Sequence, residues 1–190
     1  MKTLPRCPWP SEDDPLMLRY HDREWGVPLR EDKRIFEFLV LEAFQAGLSW
    51  RIVLHKRENF RKAFVGFDFN KVARMTPRDL SRLVRDKGIV RNRAKIRAAR
   101  DNAQRFLEVR KEYGTFSKYM WGWVGGKPIN HRIKSMRGIP TVIPEAEAWS
   151  KDLKKRGFKF LGPTVLYAHM QAAGMVNDHW TGCFRHGISR

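Results

Sequence analysis

The sequence predicts a mostly α-helical protein, on three observations. Apolar residues recur at helical spacing through most of the chain, helix-start and helix-stop residues bracket those stretches, and strand-like alternation persists nowhere. The first expected helix runs from Asp32 to Phe44, where Ile35, Phe36, Leu39 and Phe44 share a side and Gly47 can stop the run. Ser49 can cap a second, whose buried face is Ile52, Val53, Phe60, Ala63 and Phe64 before Gly66. Thr76, Pro77 and Asp79 supply a cap, a first-position proline and a first-turn acid, so a helix begins there and Gly88 breaks it. A long helix follows from about Arg91 to Tyr113, with Ile96, Ala99, Ala103, Phe106 and Leu107 on one side. From Gly114 to Ile143 the Gly, Pro and Asn punctuation reads as loops with short helices. Pro144 and Pro163 then open helices ending at Gly157 and Gly174.

A chain of 190 residues, 42% apolar, fits a single unit with a substantial core. Its net charge of +18, from 38 Lys and Arg against 20 Asp and Glu, favours a polyanionic partner, nucleic acid first and an anionic membrane surface second. No apolar stretch is long enough to cross a bilayer and the start lacks the apolar run of a signal peptide, so a cytoplasmic, DNA-associated protein is expected. Cys7 and Cys183 are too few for the disulfide framework of a secreted domain.

The segment from Leu83 to Ile96 reads as two helices joined by a turn of about four residues, with Gly88 free to take angles closed to other residues. Outward N–H groups followed at once by a helix N-terminus can cradle a phosphate oxygen. Thirteen Lys or Arg against four Asp or Glu between Arg74 and Lys111 make the surroundings strongly positive. This is the helix-hairpin-helix pattern, and Lys87, Gly88, Val90, Arg91 and Arg93 are its candidate DNA contacts. An ordinary helix corner with a solvated basic face is the alternative.

Cys7 and His21 near the start, with His179 and Cys183 near the end, form a thiolate and imidazole set suited to one structural zinc ion with no open position. A disulfide, ordinary buried cysteines or core histidines remain open on spacing alone. Such a site would tie segments of about 1–31 and 114–190 together, beside a central helical part of about 32–113 that carries the hairpin at 83–96.

Three aromatic and polar clusters surround these ligands: Cys7 to Trp9, Tyr20 to Gly26 (YHDREWG) and Leu41 to Trp50, which ends in QAGLSW. With GIVRNRAKI (Gly88 to Ile96), KKRGFKFLGPT (Lys154 to Thr164) and VNDHWTGC (Val176 to Cys183), they resemble the 3-methyladenine DNA glycosylase I family in order and over nearly the whole chain. The resemblance implies a helix-hairpin-helix glycosylase fold with a zinc site bound by Cys7, His21, His179 and Cys183. It further implies excision of 3-methyladenine from alkylated double-stranded DNA, with free 3-methyladenine as product. A glycosylase can work as a monomer, and a monomer is expected here.

Methylation at N3 leaves the base cationic and a good leaving group, so the enzyme mainly has to extrude it, hold it and select it. Trp9, Tyr20 and Trp50 match the family's pocket aromatics, whose faces attract a cation. Glu42 matches its pocket carboxylate, assigned to recognition first and catalysis second. By pattern alone Glu42 is a carboxylate in the apolar run Leu39 to Phe44, costly there unless paired or functional, and otherwise on a solvated stripe. Trp25 and Phe44 read as packing. The chain departs from the family at Met17, where a pocket tyrosine is expected, and at Ala43, where glycine is usual. A non-catalytic DNA-binding module and a glycosylase for another alkylated base, such as 3-methylguanine, are the rival functions.

Overall fold

The computed structural model describes residues 4–187. Among the described residues ten α-helices follow in order: α1 (Pro15–Arg23), α2 (Asp32–Gln45), α3 (Trp50–His55), α4 (Arg57–Ala63), α5 (Phe69–Ala73), α6 (Pro77–Arg85), α7 (Arg93–Tyr113), α8 (Phe116–Gly122), α9 (Pro144–Lys155) and α10 (Pro163–Ala172). Two-residue strands β1 (Ile129–Asn130) and β2 (Val176–Asn177) pair in parallel, Ile129 opposite Val176. That pair was not expected, because two residues are too few to register as alternation.

Helix α2 sits at the centre, with every residue from Ile35 to Phe44 buried, the charged Glu37 and Glu42 included. Glu37 is neutralised by the guanidinium groups of Arg57 at 2.7 Å and Arg61 at 2.8 Å, whereas Glu42 has no arginine partner among the described residues. The apolar stripe of α7 packs Ile96, Ala99, Ala103, Phe106 and Val109 into the same core, where Phe106 stacks on Phe116 with ring centroids 4.1 Å apart. A second, smaller core joins the chain ends: Cys7, Met17, Tyr20 and Trp25 from the start meet Ala172 and Cys183 from the far end.

Two expectations need correction. The helix predicted after Ser49 is two helices separated at Lys56, and the turn there leaves Ile52 43% exposed instead of buried. Helix α6 begins as the capping signal requires, with Thr76 and Asp79 satisfying one another's backbone N–H groups. It ends at Arg85, however, so the link to α7 is the seven residues 86–92, not about four. Among the described residues no helix is long and apolar enough to cross a membrane.

Candidate functional site

Helices α1, α2, α3 and α10, with the segments carrying Trp9, Trp25 and Ile139, line a cavity of about 250 Å³ walled by Trp9, Tyr20, Trp25 and Trp50, with Glu42, Gln45 and Gln171 as its polar members. This is below the roughly 300–1,000 Å³ of a drug-sized ligand site and suits one flat heterocycle. Tyr20 and Trp50 lie with ring centroids 5.1 Å apart, and Trp9 meets the edge of Tyr20 at 6.1 Å. A larger groove of about 460 Å³ between α6 and α7 is lined by Arg85, Arg93, Arg97 and Arg100; it carries charge but neither an acid nor an aromatic wall.

Glu42 reaches the cavity because α2 has no solvated side on which to place it. The carboxylate is 3% exposed, and its Oε2 accepts a hydrogen bond from His169 Nδ1 of α10 at 2.8 Å. Burial pushes its pKa above the ordinary 4.5, while the charge and hydrogen bond of His169 oppose that shift. Beyond α2, the chain turns at Gly47 into α3, and the ammonium of Lys95 donates to the carbonyls of Phe44 and Ala46, capping the helix end beside the cavity.

Next to the cavity the four predicted metal ligands converge. The side-chain donor atoms of Cys7, His21, His179 and Cys183 all lie within 4.8 Å of one another, and all four residues are buried. Sulfur–nitrogen separations are 3.5 Å for Cys7 to His179, 3.5 Å for Cys183 to His21 and 3.7 Å for Cys183 to His179. Tetrahedral bonds of about 2.3 Å to sulfur and about 2.0–2.1 Å to nitrogen produce sulfur–nitrogen edges of about 3.6 Å, close to these three separations. Outer contacts fix which ring nitrogen faces inward. His21 Nδ1 is held by Asp22 at 2.8 Å, which leaves Nε2; His179 Nε2 donates to the Trp25 carbonyl at 3.2 Å, which leaves Nδ1. Burial pushes the His179 pKa down to about 3, so its ring is neutral and offers a lone pair. Burial pushes the Cys7 thiol up to about 12. The cluster could therefore hold one metal ion.

Gly26 is fixed by this geometry. Its φ is +76°, and a Cβ there would stand 2.7 Å from His179 Nε2. Gly26→Ala is expected to lower the melting temperature and displace His179 from the Trp25 carbonyl, measured by thermal unfolding together with metal content; unchanged values would contradict the fit.

The 86–92 link corrects the hairpin reading in detail. Gly88 is not in the left-handed region; it is glycine because a Cβ would lie 3.0 Å from Asp86 Oδ1 and 3.1 Å from the Asn59 side chain. Its N–H does not face outward but donates to Asp86 Oδ1 at 2.7 Å. Asn92 caps α7 through the Lys95 N–H, Val90 is half-buried against the core, and Lys87, Arg91 and Arg93 are exposed.

The sequence matches the family model for methyladenine glycosylase over residues 9–186. The chain belongs to the methyladenine glycosylase family. DNA-3-methyladenine glycosylase 1 of Escherichia coli K12 is 48% identical over 180 residues, covering 95% of this chain and 96% of that protein. DNA-3-methyladenine glycosylase of Haemophilus influenzae is 44% identical, covering 94% and 96%. A crystal structure of 3-methyladenine DNA glycosylase I matches with a TM-score of 0.92 at 48% identity, over 96% of this chain and 100% of that one. The Staphylococcus aureus enzyme, whose solved structure concerns 3-methyladenine recognition, matches at 0.91 and 41% identity, over 94% and 95%.

Within this glycosylase fold the sequence reading missed three polar members of the cavity region, Gln45, His169 and Gln171. His169 sits in the apolar run of α10, where a lone histidine reads as core, and Gln171 is held by Asp178, which also accepts from Tyr167. Trp25, read as packing, lines the cavity as well. Trp9 does two jobs, walling the cavity and meeting His21 at 5.4 Å. Phe44 is core, and Met17 packs with Tyr20 and Trp25 in the smaller core without lining the cavity.

Proposed function

We propose that this protein removes 3-methyladenine from alkylated double-stranded DNA by hydrolysis, leaving an abasic site. The observation that carries the reading is a buried carboxylate, Glu42, facing a cavity of one-base size walled by Trp9, Tyr20, Trp25 and Trp50. A flipped cationic base is drawn to the aromatic faces and to the buried charge, and Glu42 accepts from its exocyclic amine. An uncharged purine gains less on both counts, which is the basis of selection. As the C1′–N9 bond breaks, its electron pair stays with the base and neutralises it, while the sugar becomes cationic and the Glu42 charge stabilises it. Water adds its oxygen to C1′ and releases a proton. Lys95, engaged with the Phe44 and Ala46 carbonyls, is not free to attack the sugar.

The metal in this reading is a single structural zinc ion held by Cys7, His21, His179 and Cys183; two thiolates and two imidazoles balance a divalent cation and leave no position for substrate. It ties the segments of about 1–31 and 114–190 together, so residues 1–190 act as one unit. The cavity and the ligand set are complete within one chain, which supports a monomer acting on intracellular DNA.

The 83–96 hairpin grips the DNA backbone, with Lys87, Arg91 and Arg93 contributing charge and the N-terminus of α7 facing phosphate, while Gly88 and Val90 shape the turn. Replacing Lys87, Arg91 and Arg93 together by Ala is expected to weaken duplex binding and to reduce its salt slope by roughly 0.9 per lost phosphate contact. An unchanged slope places the DNA elsewhere.

The reading is tested by exposing methylated duplex to the purified protein and scoring alkali-labile sites. New sites with no alkali-independent nicks are expected; nicking without alkali would contradict the hydrolytic route, and no new sites would contradict the activity.

A further inference from the structure

Glu42 has two oxygens, and among the described residues only one is committed. His169 is wholly buried, with Nδ1 2.8 Å from Glu42 Oε2, Nε2 3.4 Å from Met120 Sδ on α8, and Trp149 of α9 covering the ring at 5.6 Å. A carboxylate only accepts, so Nδ1 carries the proton and donates. Packing against Trp149 and Met120 fixes the ring, the ring fixes Oε2, and among the described residues Oε1 is left for a ligand.

We propose that His169 is a positioning residue for base recognition, holding the Glu42 carboxylate ionised and turned so that Oε1 faces the bound base. The inference rests on the glycosylase reading of the cavity. The groups around Glu42 leave this task to His169. From α1 comes Tyr20, whose phenol burial keeps neutral. From α7 comes Lys95, which is engaged with backbone carbonyls at the helix end, and α8 and α3 bring Met120 and Trp50, which are uncharged. Arg57 is committed to Glu37 and Glu24. Gln171, on the same helix as His169, is turned to Asp178. Burial favours the protonated acid, and His169 is the partner that works against it. A protonated Glu42 would have no charge to offer a cationic base.

The test uses His169→Phe, which keeps a buried ring but removes the donor, and His169→Asn, whose amide nitrogen can replace Nδ1. In the full-length, metal-loaded protein, carbon-13 carboxyl titration of Glu42 should move to higher pH in His169→Phe and return toward wild type in His169→Asn. This readout needs no activity, so it judges His169 even if no 3-methyladenine is released; that failure would fall on the glycosylase reading instead. With active protein, the acid limb of kcat/KM against pH should shift the same way in His169→Phe. Its value at neutral pH should fall about tenfold or more, the size of a lost hydrogen bond to a charged group. In a Glu42→Gln background His169→Phe should cost nothing further. An unmoved Glu42 titration, or equal losses in Phe and Asn variants with the acid limb in place, would overturn the proposal and leave His169 a packing residue.

Discussion

Glu42→Gln is expected to cut excision of 3-methyladenine by about a hundredfold or more while duplex affinity stays near wild type. The size follows from two losses. A hydrogen bond to a charged group is worth about 1.5–3 kcal/mol, a factor of roughly 10–150 in rate, and the attraction of a buried charge for a cation disappears with it. Geometry adds to this: with the amide oxygen accepting from His169, the amide NH2 is turned to the exocyclic amine, donor against donor. The same change should raise the melting temperature at neutral pH, since a carboxylate whose folded pKa burial holds above 4.5 costs stability when ionised. That cost is fully present above the raised pKa and is lost as pH falls toward the ordinary value, so the variant's advantage must shrink on acidification. Excision and thermal unfolding measured from neutral to acid pH check both halves. Equal loss of excision and DNA affinity would remove Glu42 from the pocket role.

Cys183→Ser is expected to have the largest effect on stability, with loss of the bound metal and a fall in melting temperature of about 10 °C or more. A structural metal that binds only the folded chain contributes its binding free energy to folding, and in a chain of this size each kcal/mol shifts the midpoint by about 2–4 °C. The loss should spread to the cavity, because Trp9 meets His21 and the Trp25 carbonyl holds His179. Metal analysis with a thermal melt decides it; one full equivalent of zinc retained would refute the ligand set.

The parts legible in the sequence are those encoded locally. The Asp32 helix, the capping signal Thr76, Pro77 and Asp79, and the proline starts at Pro144 and Pro163 act within a few residues, and each helix starts where its signal stands. What spacing could not deliver is set by tertiary approach. Cys7 and His179 are 172 positions apart, and only the smaller core brings them to 3.5 Å. Gly88 signals a turn truthfully but for another reason, close contact with Asn59 and not a left-handed backbone. His169 gives no local signal, because a histidine in an apolar helix becomes informative only when the carboxylate opposite it is known.

The central claim is tested most directly by chromatography of the bases released from methylated duplex DNA by the zinc-loaded protein, with Glu42→Gln alongside. Free 3-methyladenine from the wild type, nearly absent from the variant, is the predicted result. No free base from a folded protein that still binds duplex would contradict it.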